Sequence, residues 1–556
     1  MITNWLNELL KKELDVKVNV IQSNRPDLCD FQIDEAFKLA KELHKSPFEI
    51  ANDIVEKIKN INNINDVIEN IEVVNGFINI TVTNSFINKM LVMINNDDKY
   101  CIKPEKKKVV TDYGGPNVAK PLHVGHLRSA IIGESIKRIL RYKGNDVIAD
   151  VHLGDYGLQI GEVIYAIQHD GKKDEEITLE YLNEAYPRMS GICKENEDIK
   201  KECEEITKKM QDGDPEYNRL CDIICDISIK DIKGIYKDLS VSFDLWESEK
   251  SAYKYINELE ELLNKKGLLY TSQGAEVIDV AEETDSKEIP PMIFKKSNGA
   301  YLYGTTDMAT IYDRENKFQP DNIIYITDNR QAMHFTQVFR SSLKAGITDA
   351  TLEHKGYGTV NGPDGKPFKT RAGNAPSLRD MLNETRDIFI SKKEDNKDMS
   401  DEDLNKIVNA IIKFADLQNN LTNDYIFDIN KFSNTAGKTG PYMQYTVLRL
   451  KKILASESFD NNLTDTIYNE VDRNLRLKIT NIASAFDKAY ENRMPSYIVD
   501  YIYDLANEAN NFYQLNHIAG LDDKIKKNDW LYVLNVTVNI LTDMLKLIGI
   551  EIPSYM

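Results

Sequence analysis

The chain has 556 residues, a length that corresponds to roughly three to five domains at ~100–200 residues per domain. Because 42% of the residues are hydrophobic and 29% are charged, the chain can bury a sizeable core, and global disorder is excluded. The net charge of -19, from 70 basic and 89 acidic residues, argues against a protein that coats nucleic acid non-specifically. It does not exclude a nucleic-acid partner that docks on local basic faces.

The chain shows no predicted leader or membrane segment. Its N-terminus lacks a basic stretch followed by an apolar block, so we expect no signal peptide. The most apolar stretch, residues 530–552, is interrupted by Asn535, Asn539, Asp543 and Lys546, and this pattern predicts a packed amphipathic helix. The six cysteines form no CxxC pair, which predicts neither a disulfide scaffold nor a zinc site. We therefore expect a cytoplasmic protein that has no membrane partner.

Residues 1–100 have the pattern of a small α+β unit. Helical periodicity covers residues 34–43 and 47–61, and Ser46 is placed to be the N-cap of the second helix. Residues 71–74 and 77–82 flank an Asn-Gly pair and predict a β-hairpin. Nothing in this unit resembles a catalytic cluster.

A basic linker, residues 103–108, precedes a change of character. Residues 109–111 predict a strand, 114–116 a turn, 125–142 a helix that ends at Gly144, and 146–151 a second strand. This order makes a βαβ unit, which belongs to a parallel sheet. A second unit follows far downstream, with predicted elements at 322–327, 331–345, 351–354 and 359–360. We interpret the two units as halves of one nucleotide-binding fold, residues 101–164 and 301–385.

An insertion and a helical C-terminal half complete the predicted organisation. The insertion, residues 165–300, is predicted to be helical at 178–210 and 215–239 and strand-like at 275–280 and 291–294. We expect a helical junction over residues 386–435 and a helical bundle over 436–556. The helices predicted in this half are 403–421, 440–456, 466–490, 495–513 and 529–548.

The most informative segment runs from Asp112 to His126. His123 and His126 are three residues apart at the start of a predicted helix, so both face the same side. The free N–H groups and positive dipole of a helix start favour phosphate, and two imidazoles there can donate hydrogen bonds as charge builds on it. Gly125 would let a flat base or ribose approach, and Lys120 adds a positive charge. An isolated HxxH pair is more often two ordinary histidines, but the strand, turn and helix around this pair favour the phosphate site.

The residues around this pair resemble a known family. PNVAKPLHVGHLRS, residues 116–129, resembles the HIGH-type signature of class I aminoacyl-tRNA synthetases in the form found in arginyl-tRNA synthetases. Seven further segments are similar to that family, in its order: HLGDYGLQIG, SNGAYLYGTTDMAT, IYITDNRQAMHF, GTVNGPDGKPFKTRAG, KFADLQNN, GKTGPYMQY and YIYDLANEANNFY. The resemblance covers essentially the whole chain. It implies a Rossmann-type α/β class I catalytic core with an insertion, an N-terminal α+β domain that contacts tRNA, and a C-terminal α-helical bundle that binds the anticodon.

The loop at residues 362–373 carries Lys366, Lys369 and Arg371. Its glycines allow movement, so these cations could close on pyrophosphate. The resemblance places it where class I enzymes have their KMSKS loop, although the KMSKS sequence itself is absent. In the family, the lysine just before the HIGH-type motif is thought to compensate, which implies Lys120 here. The alternative is a solvated basic hairpin loop.

The resemblance also implies which residues bind the small substrates. A guanidinium group pairs with carboxylates in a bidentate fork and with planar acceptors. Such a pocket rejects neutral isosteres by ~10⁴ or more, so we expect no editing site. Asp307 could instead be a helix N-cap, and Tyr303 a core residue. The residues implied are Asp307, Tyr303 and Gln331 for the arginine side chain, Asp112 and Asn117 for its α-amino end, and Gly125, His123, His126, His334 and Lys369 for ATP.

The implied activity is arginine–tRNA ligation. L-Arginine would attack the α-phosphate of ATP to give arginyl-adenylate and pyrophosphate, and the arginyl group would pass to the 2'-OH of the 3'-terminal adenosine of tRNA(Arg). Magnesium would accompany ATP, and no protein-bound metal is expected. The resemblance further implies a monomer that forms adenylate only with tRNA bound. Candidate tRNA contacts are Tyr445, Tyr501, Phe512 and Tyr513 for base stacking, Lys438, Arg449, Lys451 and Lys452 for phosphates, and Met556 at the RNA-facing groove. The alternative for each aromatic residue is a core position, which is the more common role of aromatic residues at helical spacing.

Two other interpretations stay open. Another HxGH enzyme is one: a small nucleotidyltransferase is disfavoured by the chain length and helical C-terminus, and a cysteinyl-type synthetase by the absence of zinc-ligand spacing. A non-catalytic tRNA-binding paralogue is the other, although such a protein could lose the two histidines that are present here.

Overall fold

The computed structural model describes residues 1–14, 18–366, 377–392 and 399–556. Its N-terminal unit holds an antiparallel sheet in the order β1-β2-β4-β3. The elements are α1 (Ile2–Glu13), β1 (Val20–Gln22), β2 (Phe31–Ile33), α2 (Glu35–Leu43), α3 (Pro47–Lys59), β3 (Ile68–Val74), β4 (Phe77–Val82) and α4 (Asn84–Asn95). The side chain of Ser46 accepts a hydrogen bond from the Glu49 N–H at 3.2 Å, as an N-cap does. Asn75 and Gly76 both have positive φ, the conformation that a two-residue Asn-Gly hairpin turn requires.

The first half of the central domain follows the predicted order of strand, helix and strand. Its elements are β5 (Lys108–Tyr113), α5 (Val124–Lys143), β6 (Asp146–Asp150) and α6 (Leu158–His169). Gly144 ends α5 with φ 113°, a left-handed conformation that glycine adopts without strain.

The insertion is helical first and then forms a small antiparallel sheet in the order β7-β8-β9. Its elements are α7 (Leu179–Glu195), α8 (Glu197–Gln211), α9 (Pro215–Asp238), α10 (Glu249–Ala252), α11 (Ile256–Lys265), β7 (Leu269–Ser272), β8 (Ala275–Ile278) and β9 (Met292–Lys295). The single helix predicted over 178–210 is wrong. Asn196 breaks it, because its side chain accepts hydrogen bonds from the N–H groups of Asp198 and Ile199 and caps a new helix.

The second half returns to the central sheet and continues into helices. The elements here are α12 (Tyr303–Phe318), β10 (Asn322–Asp328), α13 (Ala332–Ala345), β11 (Thr351–Tyr357), β12 (Val360–Asn361), α14 (Leu378–Ser391), α15 (Asp401–Leu417), β13 (Tyr425–Ile426), α16 (Ile429–Phe432), α17 (Gly440–Ala455), α18 (Glu470–Thr480), α19 (Ile482–Asn492), α20 (Ser496–Leu515) and α21 (Lys524–Leu547). The predicted helix 466–490 is two helices that meet at Asn481. Among the described residues, no helix is both long and apolar enough to cross a membrane.

The central sheet is parallel and has the strand order β11-β10-β5-β6. Its two inner strands are buried on both faces, which explains their nearly continuous apolar sequences. From β5 the chain crosses over to β6 on one side, and from β10 it crosses over to β11 on the other. Such a reversal opens a crevice at the carboxyl ends of the two inner strands, where ligands bind in folds of this kind.

Candidate active site

A cavity of about 590 Å³ opens in this crevice, at the carboxyl ends of β5 and β10. Its walls come from the segment after β5, the start of α5, the segment after β6, α10, α12 and the start of α13. Residues predicted from the sequence that line it are Asp112, Asn117, His123, Gly125, His126, Tyr303, Asp307, Gln331 and His334. The fold therefore brings together the side chains that were expected at the triphosphate and those expected at arginine.

The two imidazoles lie at the first turn of α5, with ring centroids 4.0 Å apart. Nδ1 of His123 accepts a hydrogen bond from the Gly125 N–H at 3.0 Å, and Nδ1 of His126 accepts one from the His123 N–H at 3.1 Å. A neutral imidazole that accepts at Nδ1 carries its proton on Nε2, so each ring retains one N–H donor. Burial lowers the pKa of His123 and lowers that of His126 to about 3, with the neighbouring ring and Lys120 acting in the same direction. Both rings are therefore neutral donors at pH 7.

Gly125 is explained by the imidazole beside it. A Cβ atom at this position would lie only 2.6 Å from Cε1 of the His123 ring. The glycine therefore lets that ring fold back over the helix start, which is a different reason from the close approach of a ligand that the sequence suggested.

Of the predicted cations, Lys120 and Lys366 are described, and neither lines the cavity. Nζ of Lys120 lies 4.7 Å from the centroid of the Tyr186 ring on α7, a cation–π contact. Lys366 is exposed. Lys369 and Arg371 lie outside the described residues. Within the described part of the chain, the imidazoles are therefore the donors that face the cavity at the helix start.

Two carboxylates, on α10 and α12, also line the cavity. Because α12 begins at Tyr303, Asp307 is inside the helix, and the alternative of an N-cap is wrong. Oδ2 of Asp307 lies 2.5 Å from Nε2 of His334. Tyr303 is 61% exposed, so the alternative of a core residue is also wrong. The second carboxylate, Glu249, was not predicted: burial, together with the charge of Asp307, raises its pKa to about 7.

A group of charges begins at the cavity lining, with Asp112 and His152, and continues into the interior with Asp150 and Arg314. Nη2 of Arg314 donates to the carboxylates of Asp112 at 2.6 Å and of Asp150 at 2.7 Å, and all three side chains are buried. Although burial lowers the pKa of His152, the same two carboxylates raise it to about 9. Asp112, Asp150 and His152 are also close enough together to share a metal ion. The Arg314 guanidinium already bridges the two acids, and Asp112 could contact an α-amino group only while keeping that bond.

The structure separates the aromatic candidates for tRNA contact. Tyr501 is 6% exposed and Phe512 is fully buried, so neither ring has a face open to a base, and the stacking prediction is wrong for both. Tyr445 is exposed on α17. Arg449 lies over the ring of Tyr513 at 4.9 Å from its centroid, and this pair remains a candidate contact.

The other candidate tRNA contacts in the C-terminal bundle differ in whether their side chains are already paired or exposed. Nζ of Lys438 pairs with Asp500 at 2.5 Å, whereas Lys451 and Lys452 are exposed. Met556 is half-buried against the hydrophobic core. The proposed contacts of these residues with RNA stay predictions.

Glu249 is the functional candidate that the sequence reasoning missed. It follows His126 by more than 100 residues, within the insertion, and its surrounding sequence has no recognisable spacing. Its backbone N–H donates to the Leu153 carbonyl at 3.0 Å, which holds the short helix α10 against the segment after β6. Tyr325 and Asp328 also line the cavity, and their place at the carboxyl end of a predicted strand was a signal that could have identified them.

Comparison with known proteins agrees with this geometry. Residues 87–429 match the model described as tRNA synthetases class I (R), catalytic domain. Residues 443–556 match the DALR anticodon binding domain, and residues 1–82 the arginyl tRNA synthetase N terminal domain. These three matches cover the central sheet with its insertion, the C-terminal helices and the N-terminal unit.

Relatives and solved structures extend the similarity to the full length. An arginine–tRNA ligase from Alkaliphilus oremlandii is 40% identical over 98% of this chain and 97% of its own, and one from Francisella tularensis is 38% identical over 100% of both. The fold resembles the arginyl-tRNA synthetases of Plasmodium falciparum and Thermus thermophilus, each with a TM-score of 0.85, at 23% and 22% identity. These alignments cover 100% of this chain and 99% and 100% of the two structures. The catalytic match and the full-length relatives confirm the predicted resemblance: the chain belongs to the arginyl-tRNA synthetase family of class I aminoacyl-tRNA synthetases.

Proposed function

We propose that the protein attaches L-arginine to tRNA(Arg) in two steps at the cavity between β5 and β10. The observation that carries this proposal is the combination, in one cavity, of neutral imidazole donors at a helix start and two carboxylates on α10 and α12, which we call the carboxylate wall. The first arrangement suits a triphosphate and the second suits a guanidinium.

Arginine would lie with its side chain against the carboxylate wall. Glu249 and Asp307 supply two acids for the planar guanidinium, and the exposed hydroxyl of Tyr303 lies beside them. In the described residues Glu249 makes no ion pair, so a bound guanidinium would supply its cation. Gln331 and Asn117 also line the cavity, and we assign Gln331 to the arginine side chain and Asn117 to the α-amino end.

Adenylate formation would take place between the imidazoles and the carboxylate wall. A carboxylate oxygen of arginine attacks the α-phosphorus of ATP, a new P–O bond forms, and the bond to the departing pyrophosphate breaks. His123 and His126 would donate their Nε2–H groups to phosphate oxygens as charge develops, and His334 would lie near the adenine or ribose. Magnesium enters as part of the ATP substrate. We assign Lys120, Lys366 and Lys369 to the pyrophosphate side. For Lys120, this role requires its side chain to leave the ring of Tyr186 and turn toward the cavity.

The second step would transfer the arginyl group to the 2'-OH of the terminal adenosine of tRNA. The hydroxyl oxygen bonds to the activated carbonyl carbon, and AMP leaves with the bonding electrons. The C-terminal helices, which match an anticodon-binding domain, would hold the other end of the tRNA. We further propose a monomer that acts in the cytoplasm, a compartment that suits six cysteines present as free thiols.

Pyrophosphate exchange into ATP tests the function directly. Each of the 20 amino acids is assayed with and without tRNA(Arg). We expect that only arginine supports exchange, and only when tRNA is present. Exchange with another amino acid would contradict the substrate assignment. Tight tRNA binding without exchange under any condition would favour the non-catalytic paralogue.

A further inference from the structure

A buried ion pair joins the imidazole-bearing helix to the helical domain. Arg128 lies on α5, two residues after His126, and Asp416 lies near the end of α15. Nε of Arg128 is 3.0 Å from Oδ2 of Asp416, and the two side chains are 1% and 0% exposed. Burying two charges costs desolvation energy, and apolar replacements of such pairs are often neutral or stabilising. Stability alone therefore gives no reason for a charged pair at this place.

The same guanidinium group binds two backbone carbonyls. Its Nη1 atom donates to the carbonyl of Gly358 at 2.8 Å and to that of Asn423 at 3.0 Å. Gly358 begins the segment that continues through β12 to Lys366. Asn423 lies between α15 and β13. Arg128 thus connects three parts of the protein. These are α5, which carries the two imidazoles and is called the imidazole helix below, the segment that leads into the lysine loop (residues 362–373), and the helical domain.

The root of the loop, residues 358–361, is bound along its length to residues 421–427. The Gly358 N–H donates to the Leu421 carbonyl at 2.9 Å, and the Tyr425 N–H to the Thr359 carbonyl at 3.1 Å. A Cβ atom on Gly358 would lie 2.6 Å from the carbonyl carbon of Asn423, so the two segments approach too closely for any other residue. The root and the segment beside it therefore move together, and Arg128 ties both to α5.

Two aromatic rings keep the guanidinium in place. Its central carbon lies 5.7 Å from the ring centroid of Tyr357 and 5.2 Å from that of Tyr425. Tyr357 also lines the catalytic cavity. The next residue on α5, Ser129, donates to the Ile326 carbonyl at 2.7 Å and so pins the helix to β10.

We propose that Arg128 is a positioning residue for adenylate formation. Its guanidinium, which Asp416 orients, holds the imidazole helix and the root of the lysine loop in a fixed position relative to each other. The proposal rests on the proposed function, because both elements are assigned to the triphosphate there. A shift of about 1 Å between two such elements can cost roughly 10²-fold in rate. The residues assigned to the guanidinium of arginine lie on α10 and α12, whereas the polar partners of Arg128 are Gly358, Asn423 and Asp416, so arginine affinity should change little.

The test compares variants in arginine-dependent pyrophosphate exchange with tRNA present. Arg128→Lys keeps a positive charge, but its single ammonium group cannot take both the position of Nε beside Asp416 and the position of Nη1 that donates to the two carbonyls. We expect kcat to fall roughly 10²-fold, with the KM for arginine unchanged and with transfer from supplied arginyl-adenylate to tRNA close to wild type. A kcat equal to that of the wild type, or a loss confined to the KM for arginine, would overturn the proposal.

A double variant covers the case in which single changes fail to fold. Arg128→Met with Asp416→Leu removes both charges and leaves no unpaired ion, so we expect a Tm near that of the wild type together with the same loss of kcat. Full activity in this double variant would show that the pair has no positioning role.

A matched control lies outside the cavity. Arg476 and Asp472 form another ion pair with both side chains 0% exposed, at 2.7 Å, within the C-terminal bundle. Asp472→Asn should lower the Tm and leave kcat unchanged. An equal loss of kcat in this control would reduce the effect of Arg128 to general destabilisation. If the wild type itself shows no exchange with arginine, the proposed function fails, a result distinct from any difference among variants.

Discussion

We predict that the carboxyl group of Glu249 sets the pH dependence of arginine use. Its pKa is raised from 4.5 to about 7, because the cavity removes water from the carboxylate and because Asp307 and Asp155 place further negative charge nearby. Only the ionised carboxylate can pair with a guanidinium. Acidification through pH 7 should therefore remove the partner that arginine needs, well above the pH at which an ordinary glutamate is protonated.

The magnitude follows from this pKa. With a value of about 7, the ionised fraction is about 0.9 at pH 8, about 0.5 at pH 7 and about 0.1 at pH 6. The kcat/KM for arginine should thus fall about tenfold between pH 8 and pH 6. Bound arginine stabilises the carboxylate and lowers the pKa of Glu249. The fall on acidification, called the acid limb of the pH profile, should therefore appear at lower pH in kcat than in kcat/KM. His126, neutral above about pH 3, cannot produce this limb.

The assay is the initial rate of pyrophosphate exchange against arginine concentration from pH 6 to pH 8.5 at constant ionic strength. Glu249→Gln should raise the KM for arginine at pH 8 by about 10–100-fold, the scale of one charge-assisted hydrogen bond, and should flatten the pH profile. A Glu249→Gln profile with the same slope as the wild type would refute the reasoning.

Two further variants sharpen the interpretation. Asp307→Asn removes a neighbouring negative charge, so the midpoint of the limb should move to lower pH, whatever happens to the KM. Glu247→Gln is the matched control: Glu247 lies two residues before Glu249, pairs with Lys317 at 3.2 Å and does not line the cavity. It should leave both the KM and the pH profile unchanged.

Two predictions concern geometry rather than charge. Gly125→Ala adds a methyl group 2.6 Å from the His123 ring and should lower kcat by roughly 10²–10³, the usual loss for one charge-stabilising donor, without lowering the Tm. Pyrophosphate exchange measures kcat and thermal unfolding measures the Tm. Full activity would show that the position of the ring is unimportant. Tyr445→Ala should weaken tRNA binding by about 1–3 kcal/mol at unchanged Tm, whereas Tyr501→Ala, which empties a buried site, should lower the Tm. Filter binding and unfolding separate these outcomes, and a Tyr445 variant that binds normally would remove that ring from the RNA surface.

Features determined by local sequence were predictable here. The two βαβ units follow from apolar runs and glycine turns. The pairing of His123 with His126 follows from three-residue spacing at a helix start. Both the βαβ units and the histidine pair are present in the structure. The two histidines stay together because neighbouring residues on one helix cannot be separated by tertiary packing. Two long helices were predicted incorrectly, since Asn196 and Asn481 interrupt otherwise helical patterns, and the capping side chain of Asn196 outweighs the propensity of its neighbours.

Features created by packing between distant segments were not predictable from the chain alone. Glu249 reaches the cavity because the insertion folds back against the segment after β6, and no local pattern encodes that contact. Helical periodicity likewise shows that Tyr501 lies on an amphipathic helix, but only the neighbouring helix decides that its ring is buried. Lys120 has a clear sequence position, yet its side chain rests on Tyr186 of the insertion, a residue that sequence spacing does not connect to it.

The arrangement of charges supports the proposal that the cavity selects a guanidinium. In the interior, Arg314 shows how this chain itself binds one: a single planar group bridges the carboxylates of Asp112 and Asp150 at 2.6 and 2.7 Å. On the cavity wall, Glu249 lies near Asp307 without a cation of its own among the described residues, and its raised pKa measures the cost of leaving it so. A ligand with a delocalised positive charge would relieve that cost at Glu249, whereas a neutral isostere would not. In this proposal, the half-buried acids whose charges oppose each other in the empty cavity would provide the affinity for arginine.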